Sequence, residues 1–212
     1  LTKIPENTNN VERERIIDYA HKKFITEGFY KTSMDEIAQE LHISKKTIYK
    51  HYSSKENLVE EVCVFRMNWA KEMIQEVLDS GDDAVTKFIK IINLNLTHFT
   101  NCSEKWLKDI QLHAPHCMKK FDDFRDAHVI KVMSRLLEQG RKEKLVENTP
   151  PSLLITAFIG ALKAVTDTDF IMNNKFSLQQ AFRLTSEMFL NGFLTPAGKE
   201  KYTKTKKLFE IV

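Results

Sequence analysis

Ile16, Ile17, Ala20, Phe24 and Ile25 recur at the spacing of one helix face. The stretch is bounded by Asn9 or Asn10, with Glu12 three residues after Asn9 as a capping partner, and by Gly28, a natural stop with Phe29 placed to pack back. A second start follows at once. Ser33-Met34-Asp35-Glu36 is a capping box with two acids near the positive end of the helix dipole, and Met34, Ile37, Ala38 and Leu41 make its buried side. His42-Ile43 leaves a very short turn before Ser44, whose hydroxyl can cap a third helix. On that helix Ile48 and Tyr52 face one way, while Lys46, Lys50 and the Tyr49 hydroxyl lie around the other side. Two short helices joined by such a turn predict a helix-turn-helix.

The helical period continues to the end of the chain. Ser53 with Glu56 reads as a capping box opening a long fourth helix to Asp79-Ser80-Gly81, with Leu58, Val62, Phe65, Trp69, Met73 and Val77 on one side. Asp82 or Asp83 caps a fifth helix through Phe99, Ser103 opens a short sixth ending near Pro115, and a seventh runs from Lys119 to Gly140. Thr149 as cap, with prolines behind it, opens an eighth helix to Met172 that is apolar nearly all round and must be covered on both sides. Ser177 with Gln180 caps a ninth. These last two helices against their symmetry mates would make a four-helix interface, with Ala157, Gly160, Ala161, Ala164, Phe182 and Phe189 as its candidate residues. An ordinary intrachain core is the competing reading. Lys199 to Val212 is expected to be a tail helix docked through Leu208, Phe209, Ile211 and Val212.

Six glycines and five prolines are too few for a strand-and-turn design, so the fold class is all-α. The expected organisation is a polar leader over 1–10, a three-helix domain with the helix-turn-helix over 11–55, and a larger helical bundle over 56–212. Three cysteines with no CxxC pair read as free thiols in a reducing cytoplasm, and no run of about eighteen apolar residues marks a membrane span. Neither a Gly-rich phosphate loop nor a GxSxG or HExxH motif is found, which argues against an enzyme; no cofactor is expected. The net charge of +3 is too small for a general polyanion binder, but its distribution is uneven. Residues 41–55 hold four lysines and no acid, whereas residues 1–40 hold six Lys/Arg against eight Asp/Glu. A short helix with a cationic outer face fits the major groove of B-DNA. Most lysine runs are only solvated faces; here the helix-turn-helix setting favours the groove.

Phe24, Gly28-Phe29-Tyr30-Lys31-Thr32-Ser33, Ile37-Ala38, Ile43 through Tyr52, and Ser54-Lys55-Glu56-Asn57-Leu58 together resemble the DNA-binding region of the TetR/AcrR family of bacterial transcription regulators, over roughly residues 11–62. The resemblance implies an all-α homodimer whose third helix reads the major groove and whose variable C-terminal domain binds an inducer. It thereby implies DNA binding for 11–55, and ligand binding and dimerisation for 56–212. It also implies that Thr32, Tyr49, His51 and Lys55 grip phosphates. Lys55 stands in addition at a helix start, where free N–H groups and the dipole favour an anion. Lys45, Lys46, Thr47 and Lys50 are the candidates for base edges, lysine preferring guanine O6 and N7. Tyr52 and Ser33 read as core and cap. Two positions depart from the family pattern: His42 stands where glycine is usual in the turn, and Lys46 where a small residue is frequent.

For the body, Phe88, Asn95, Trp106, His113, Phe124, His128, Phe158 and Leu162 are candidate pocket residues for an apolar or aromatic small molecule, cationic if Asp122, Asp123 or Asp126 faces inward. Plain helical core is the competing reading for each. His113-x-x-His116-Cys117, with Cys102 and His98 upstream, raises a metal-responsive alternative, although the spacing matches no common zinc motif. The expected partners are a palindromic double-stranded DNA operator, a small-molecule effector and a second copy of the chain. A helical interaction protein that does not bind DNA is the third reading.

Overall fold

The computed structural model describes residues 6–100 and 103–209. Eleven helices are described: α1 Glu6–Glu27, α2 Met34–Glu40, α3 Lys45–His51, α4 Lys55–Asp79, α5 Ala84–Thr100, α6 Glu104–His113, α7 Pro115–Lys142, α8 Pro151–Val165, α9 Thr168–Asn174, α10 Leu178–Phe193 and α11 Pro196–Phe209. No helix among the described residues is long and apolar enough to cross a membrane.

The chain divides into two compact units, Leu1–Ala70 with Asn101–Asp123, and Lys71–Thr100 with Phe124–Val212. The division differs from the domain boundary expected at 55/56. Leu58, Val59, Val62 and Cys63 of α4 are buried in the core of the first unit, together with Trp106, Ile110 and Ala114 of α6 and Cys117 of α7. Residues 6–10 of the expected leader belong to α1. Spacing along the chain reveals that a helix has an apolar face, not which core receives it.

In the first unit that core is completed by Ile16, Ala20 and Phe24 of α1, Ile37 of α2, and Ile48 with Tyr52. The second unit closes over Ile74, Leu78, Val85, Phe88, Leu136, Leu137, Leu190 and Phe193. Lys87 is buried there because its ammonium caps α4, donating to Leu78 O (2.9 Å) and Gln139 Oε1 (3.1 Å).

Most helix starts fall where their caps predict. Ser33 and Ser177 form complete capping boxes, and Ser103 accepts from Trp106 N (3.1 Å). Further boundaries differ. The hydroxyl at the start of α4 is Ser54, which accepts from Asn57 N (3.1 Å), not Ser53. α7 begins at Pro115, in a first turn where proline's missing N–H costs nothing. Pro150, not Thr149, occupies the cap position of α8 and offers no side-chain hydrogen bond. α8 ends at Val165, because Asp167 caps the separate α9 by accepting from Asp169 N and Phe170 N. The expected tail helix is α11, which packs along α5 through its buried Tyr202 and Thr205. Leu208 is 77 % exposed and does not dock it; residues 210–212 and the Phe209 side chain lie outside the described residues.

Candidate nucleic-acid interface

Backbone hydrogen bonds from Leu41 N to Ile37 O (3.0 Å), His42 N to Gln39 O (3.0 Å) and Ile43 N to Ala38 O (2.9 Å) close the turn between α2 and α3. His42 holds φ 54°, the left-handed conformation that glycine would adopt at no cost and that histidine tolerates. Arg15 of α1 donates to Leu41 O (2.9 Å) and fixes the turn from behind. Lys23 of α1 ties to α2 through Glu36 (2.9 Å) and Glu40 (3.2 Å), and the hydrogen bond to Glu36 raises the lysine's pKa.

α3 begins at Ser44, which accepts from Thr47 N (3.0 Å). Ile48 and Tyr52 anchor it with no exposed surface. The Tyr52 hydroxyl donates to Arg13 O (3.0 Å), the Arg13 guanidinium lies 5.5 Å from the ring centroid, and burial lifts the phenol to about 12. The outward face is cationic: Lys45, Lys46, Tyr49 and Lys50 are exposed, and α3 carries no acid.

Lys46 and Lys50 therefore stand on the outer face with the Tyr49 ring. Lys45, also expected at base edges, pairs with Asp35 of α2, an exposed pair of the kind that exchanges at little cost. Thr47 shares a hydrogen bond with Ser44 (2.8 Å between hydroxyls) and is half-buried.

Of the expected phosphate set, Tyr49 is 48 % exposed and Lys55 is half-buried. The Lys55 ammonium donates to Tyr30 O (2.6 Å), and burial lowers its pKa. The other two lie inside the unit. Thr32 is buried, its hydroxyl donating to Gly28 O (3.2 Å), and the His51 side chain is only 4 % exposed, with Nε2 3.1 Å from Glu12 Oε2. Here both side chains hold the unit together instead of facing solvent. His51 lies three residues after Ile48, on the same flank of α3, so helical spacing turns it toward α1.

Sequence reading missed two residues of the first unit. Tyr30 is 57 % exposed and stacks on His113, with centroids 3.9 Å apart and planes at 11°. Asp109 of α6 accepts from Phe29 N and Tyr30 N, both at 2.7 Å. No motif marks an acid that acts eighty residues away in sequence.

The pocket candidates fall in both units. Trp106 and His113 belong to the first, Trp106 packing edge-on against Phe29 (5.7 Å). In the second unit Phe88 is buried against Phe193 (5.5 Å) and Phe158 meets Phe189 edge-on (5.1 Å), so both are core contacts; Leu162 is buried too. The Asn95 amide donates to Ile91 O of its own helix (2.8 Å). Phe124 and His128 stack at 5.4 Å, and His128 Nε2 is buried with no hydrogen-bond partner, as is Ser186 Oγ. Burial lowers the His128 pKa, which favours the neutral ring. Asp126 pairs with Lys163 and Arg125.

On α8, Ala157, Gly160 and Ala164 are exposed and Ala161 is half-buried. Phe182 is buried within the chain and Phe189 is half-buried. The large apolar residues exposed on α8 and α10 are Leu153 (63 %), Leu184 (41 %) and Met188 (73 %). α8 is thus not covered on both sides within the chain.

The metal alternative finds no cluster of three or more His, Cys, Asp or Glu among the described residues. His113 stacks on Tyr30, His116 meets Glu60 (2.9 Å), and Cys117 is buried beside Cys63, so the three donors point to different partners. Cys102 and the His98 side chain lie outside the described residues.

Residues 16–62 match the family model described as "Bacterial regulatory proteins, tetR family". The HTH-type transcriptional regulator YvaF of Bacillus subtilis is 23 % identical over 180 residues, which cover 84 % of this chain and 94 % of that protein. A transcriptional regulator from Cytophaga hutchinsonii shares the fold with a TM-score of 0.69 and 23 % identity, over 86 % of this chain and 98 % of that one. A protein from Saccharomonospora viridis solved in complex with choline shares it at 0.65 and 18 % identity, over 88 % and 99 %. The matched residues take in the buried face of α1, the whole helix-turn-helix and the start of α4, and this region is a DNA-binding region of the tetR family of bacterial regulatory proteins.

Proposed function

We propose that the protein is a repressor that holds a palindromic operator as a homodimer and lets go when a small apolar or aromatic molecule binds its second unit. The observation that carries this reading is α3: a seven-residue helix with no acid, its back locked by Ile48 and Tyr52 and its front set with Lys46, Tyr49 and Lys50. In a dimer, two such helices about one DNA turn (roughly 34–36 Å) apart would match two half-sites. Lys46 and Lys50 read base edges, while Tyr49 and Lys55 hold phosphates.

The dimer is supported by the apolar stripe Leu153, Ala157, Gly160 and Ala164 on α8, next to Leu184 and Met188 on α10. A Cβ built on Gly160 meets nothing within 4 Å, so another backbone has room to approach. The effector site is supported by His128, whose ring stacks beside Phe124 with a buried and unpartnered nitrogen and whose pKa burial lowers. The S. viridis protein was solved with choline, but Asp126 is engaged by Lys163 here, which favours an uncharged ligand over a cation. An effector that prefers a different spacing of the two reading helices would lower operator affinity by its differential binding, typically about 1–3 kcal/mol.

The test is selection of bound duplex from random sequence, followed by a ligand screen for release. A recovered inverted repeat, bound in preference to bulk duplex and released by a compound that fails on His128→Ala, is the expected result. Recovery of no preferred sequence would remove the reading.

A further inference from the structure

We propose that Asp109 and His113, on α6, are positioning residues for DNA binding: they hold the loop between α1 and α2, and through Tyr30 they set the Lys55 ammonium. The inference rests on the DNA-binding reading above and adds to it a helix outside the family-matched residues.

One face of α6 lies along this loop. Ser103 N donates to Ile25 O (2.9 Å), Trp106 packs its edge on Phe29, Asp109 Oδ2 accepts from Phe29 N and Tyr30 N, and His113 stacks on the Tyr30 ring. The four residues are spaced three, three and four apart, which is one side of a helix. Two consecutive backbone N–H groups on one carboxylate oxygen form a charge-assisted anion nest. Gly28 makes the nest possible. Its φ of 81° turns the chain so that both N–H groups point the same way, and a Cβ there would lie 2.6 Å from Asp109 Oδ2 and 3.1 Å from Lys105 Cβ.

The two peptide units that flank the Tyr30 Cα are each gripped. The Tyr30 N–H is bound by Asp109 and the Tyr30 carbonyl accepts from Lys55 Nζ at 2.6 Å, with that ammonium 5.9 Å from the Tyr30 ring centroid. Tyr30 is exposed, so water could have satisfied both groups. A carboxylate from another helix does more than satisfy an N–H: it fixes where the Tyr30 backbone sits, and the Tyr30 carbonyl fixes where Lys55 points. Packing alone would need Trp106 on Phe29, not an acid on the exposed side of the loop.

The test uses the full chain and the selected operator. Asp109→Ala, Asp109→Asn, His113→Ala and Lys55→Ala are compared by titration across a salt series, with the amide signals of Phe29 and Tyr30 followed by NMR. The expected result for Asp109→Ala is about tenfold weaker binding on every duplex, with the salt slope reduced by about 1, as for loss of one phosphate contact. The double variant with Lys55→Ala should be no weaker than Lys55→Ala alone. A residue that merely stabilised the fold would leave the slope of the folded protein unchanged. Asp109→Asn keeps the shape and a neutral acceptor; it should bind between wild type and Asp109→Ala, and it decides the matter if the alanine variant does not fold. If Lys55→Ala weakens binding while the Asp109 variants keep wild-type affinity and slope, although the two amide signals move, the positioning role is overturned and the DNA reading stands. If the wild-type protein prefers no duplex, both fall.

Discussion

His51 Nε2 lies 3.1 Å from Glu12 Oε2, and the imidazole is almost wholly enclosed between α3 and α1. The contact ties the last turn of α3 to α1, as Tyr52 does through Arg13 O. His51→Ala is expected to cost about 1–2 kcal/mol of stability, since it leaves a half-buried carboxylate without its partner. A lower urea midpoint with an unchanged salt slope of DNA binding is the expected outcome. A slope reduced by about 1 would put the imidazole on a phosphate after all.

Lys50 and Lys55 should separate by kind of effect. Lys50→Ala removes a group from the outer face of α3 and is expected to relax discrimination among operator variants by about 1–3 kcal/mol at one position. Lys55→Ala should weaken all duplexes about equally and lower the salt slope by about 1. Titration of a panel of single-base operator variants at several salt concentrations checks both; unchanged selectivity in Lys50→Ala would remove Lys50 as a reader.

His21 predicts a pH dependence. Burial, then the nearby Arg66, lower its pKa from 6.5 to about 4, so the folded chain refuses a proton that the unfolded chain accepts between those values. The contribution is fully present above pH 6.5 and is lost as pH falls toward 4. It is expected to amount to about 1–3 kcal/mol. His128 is shifted in the same direction, so the test is a difference: urea midpoints of His21→Gln should fall less steeply over this window than those of the wild type. Parallel curves would show that His21 does not carry the slope.

Gly28 meets two constraints at once. Gly28→Ala must place a side chain at φ 81°, which costs about 1–2 kcal/mol, and drive its Cβ against Asp109 Oδ2. The double variant with Asp109→Ala should be less destabilised than the sum of the singles, because one clash partner is gone. Additive losses in a double-mutant cycle would mean that only the backbone conformation matters.

Met188, 73 % exposed on α10, is the sharpest probe of the proposed dimer. Met188→Lys changes nothing buried in the chain, yet a charge there would be desolvated in a twofold interface. Sedimentation at micromolar concentration should show a dimer for the wild type and a shift toward monomer for the variant. A variant that stays dimeric would place the interface elsewhere.

Local chemistry makes much of this protein legible from its residues. Helix starts at Ser33, Ser44, Ser103 and Ser177, the stop at Gly28 and the short turn at His42-Ile43 depend on a few neighbouring residues, so spacing alone reveals them. The amphipathic period of α3 likewise separates Ile48 and Tyr52 from Lys46 and Lys50. One-residue slips, such as Ser53 for Ser54, arise because adjacent serines offer the same hydroxyl and only backbone direction chooses between them.

Residue order alone thus determined an all-α chain with a cationic helix in a helix-turn-helix, because capping and amphipathicity act over a few residues. Tertiary structure decided the rest. It withdrew Thr32 and His51 from the surface, turned Phe182 inward, joined α6 to the first unit, and brought Asp109 onto Phe29 and Tyr30. The last three of those outcomes depend on which face of one helix meets a segment far away in the chain, and no local pattern encodes that meeting.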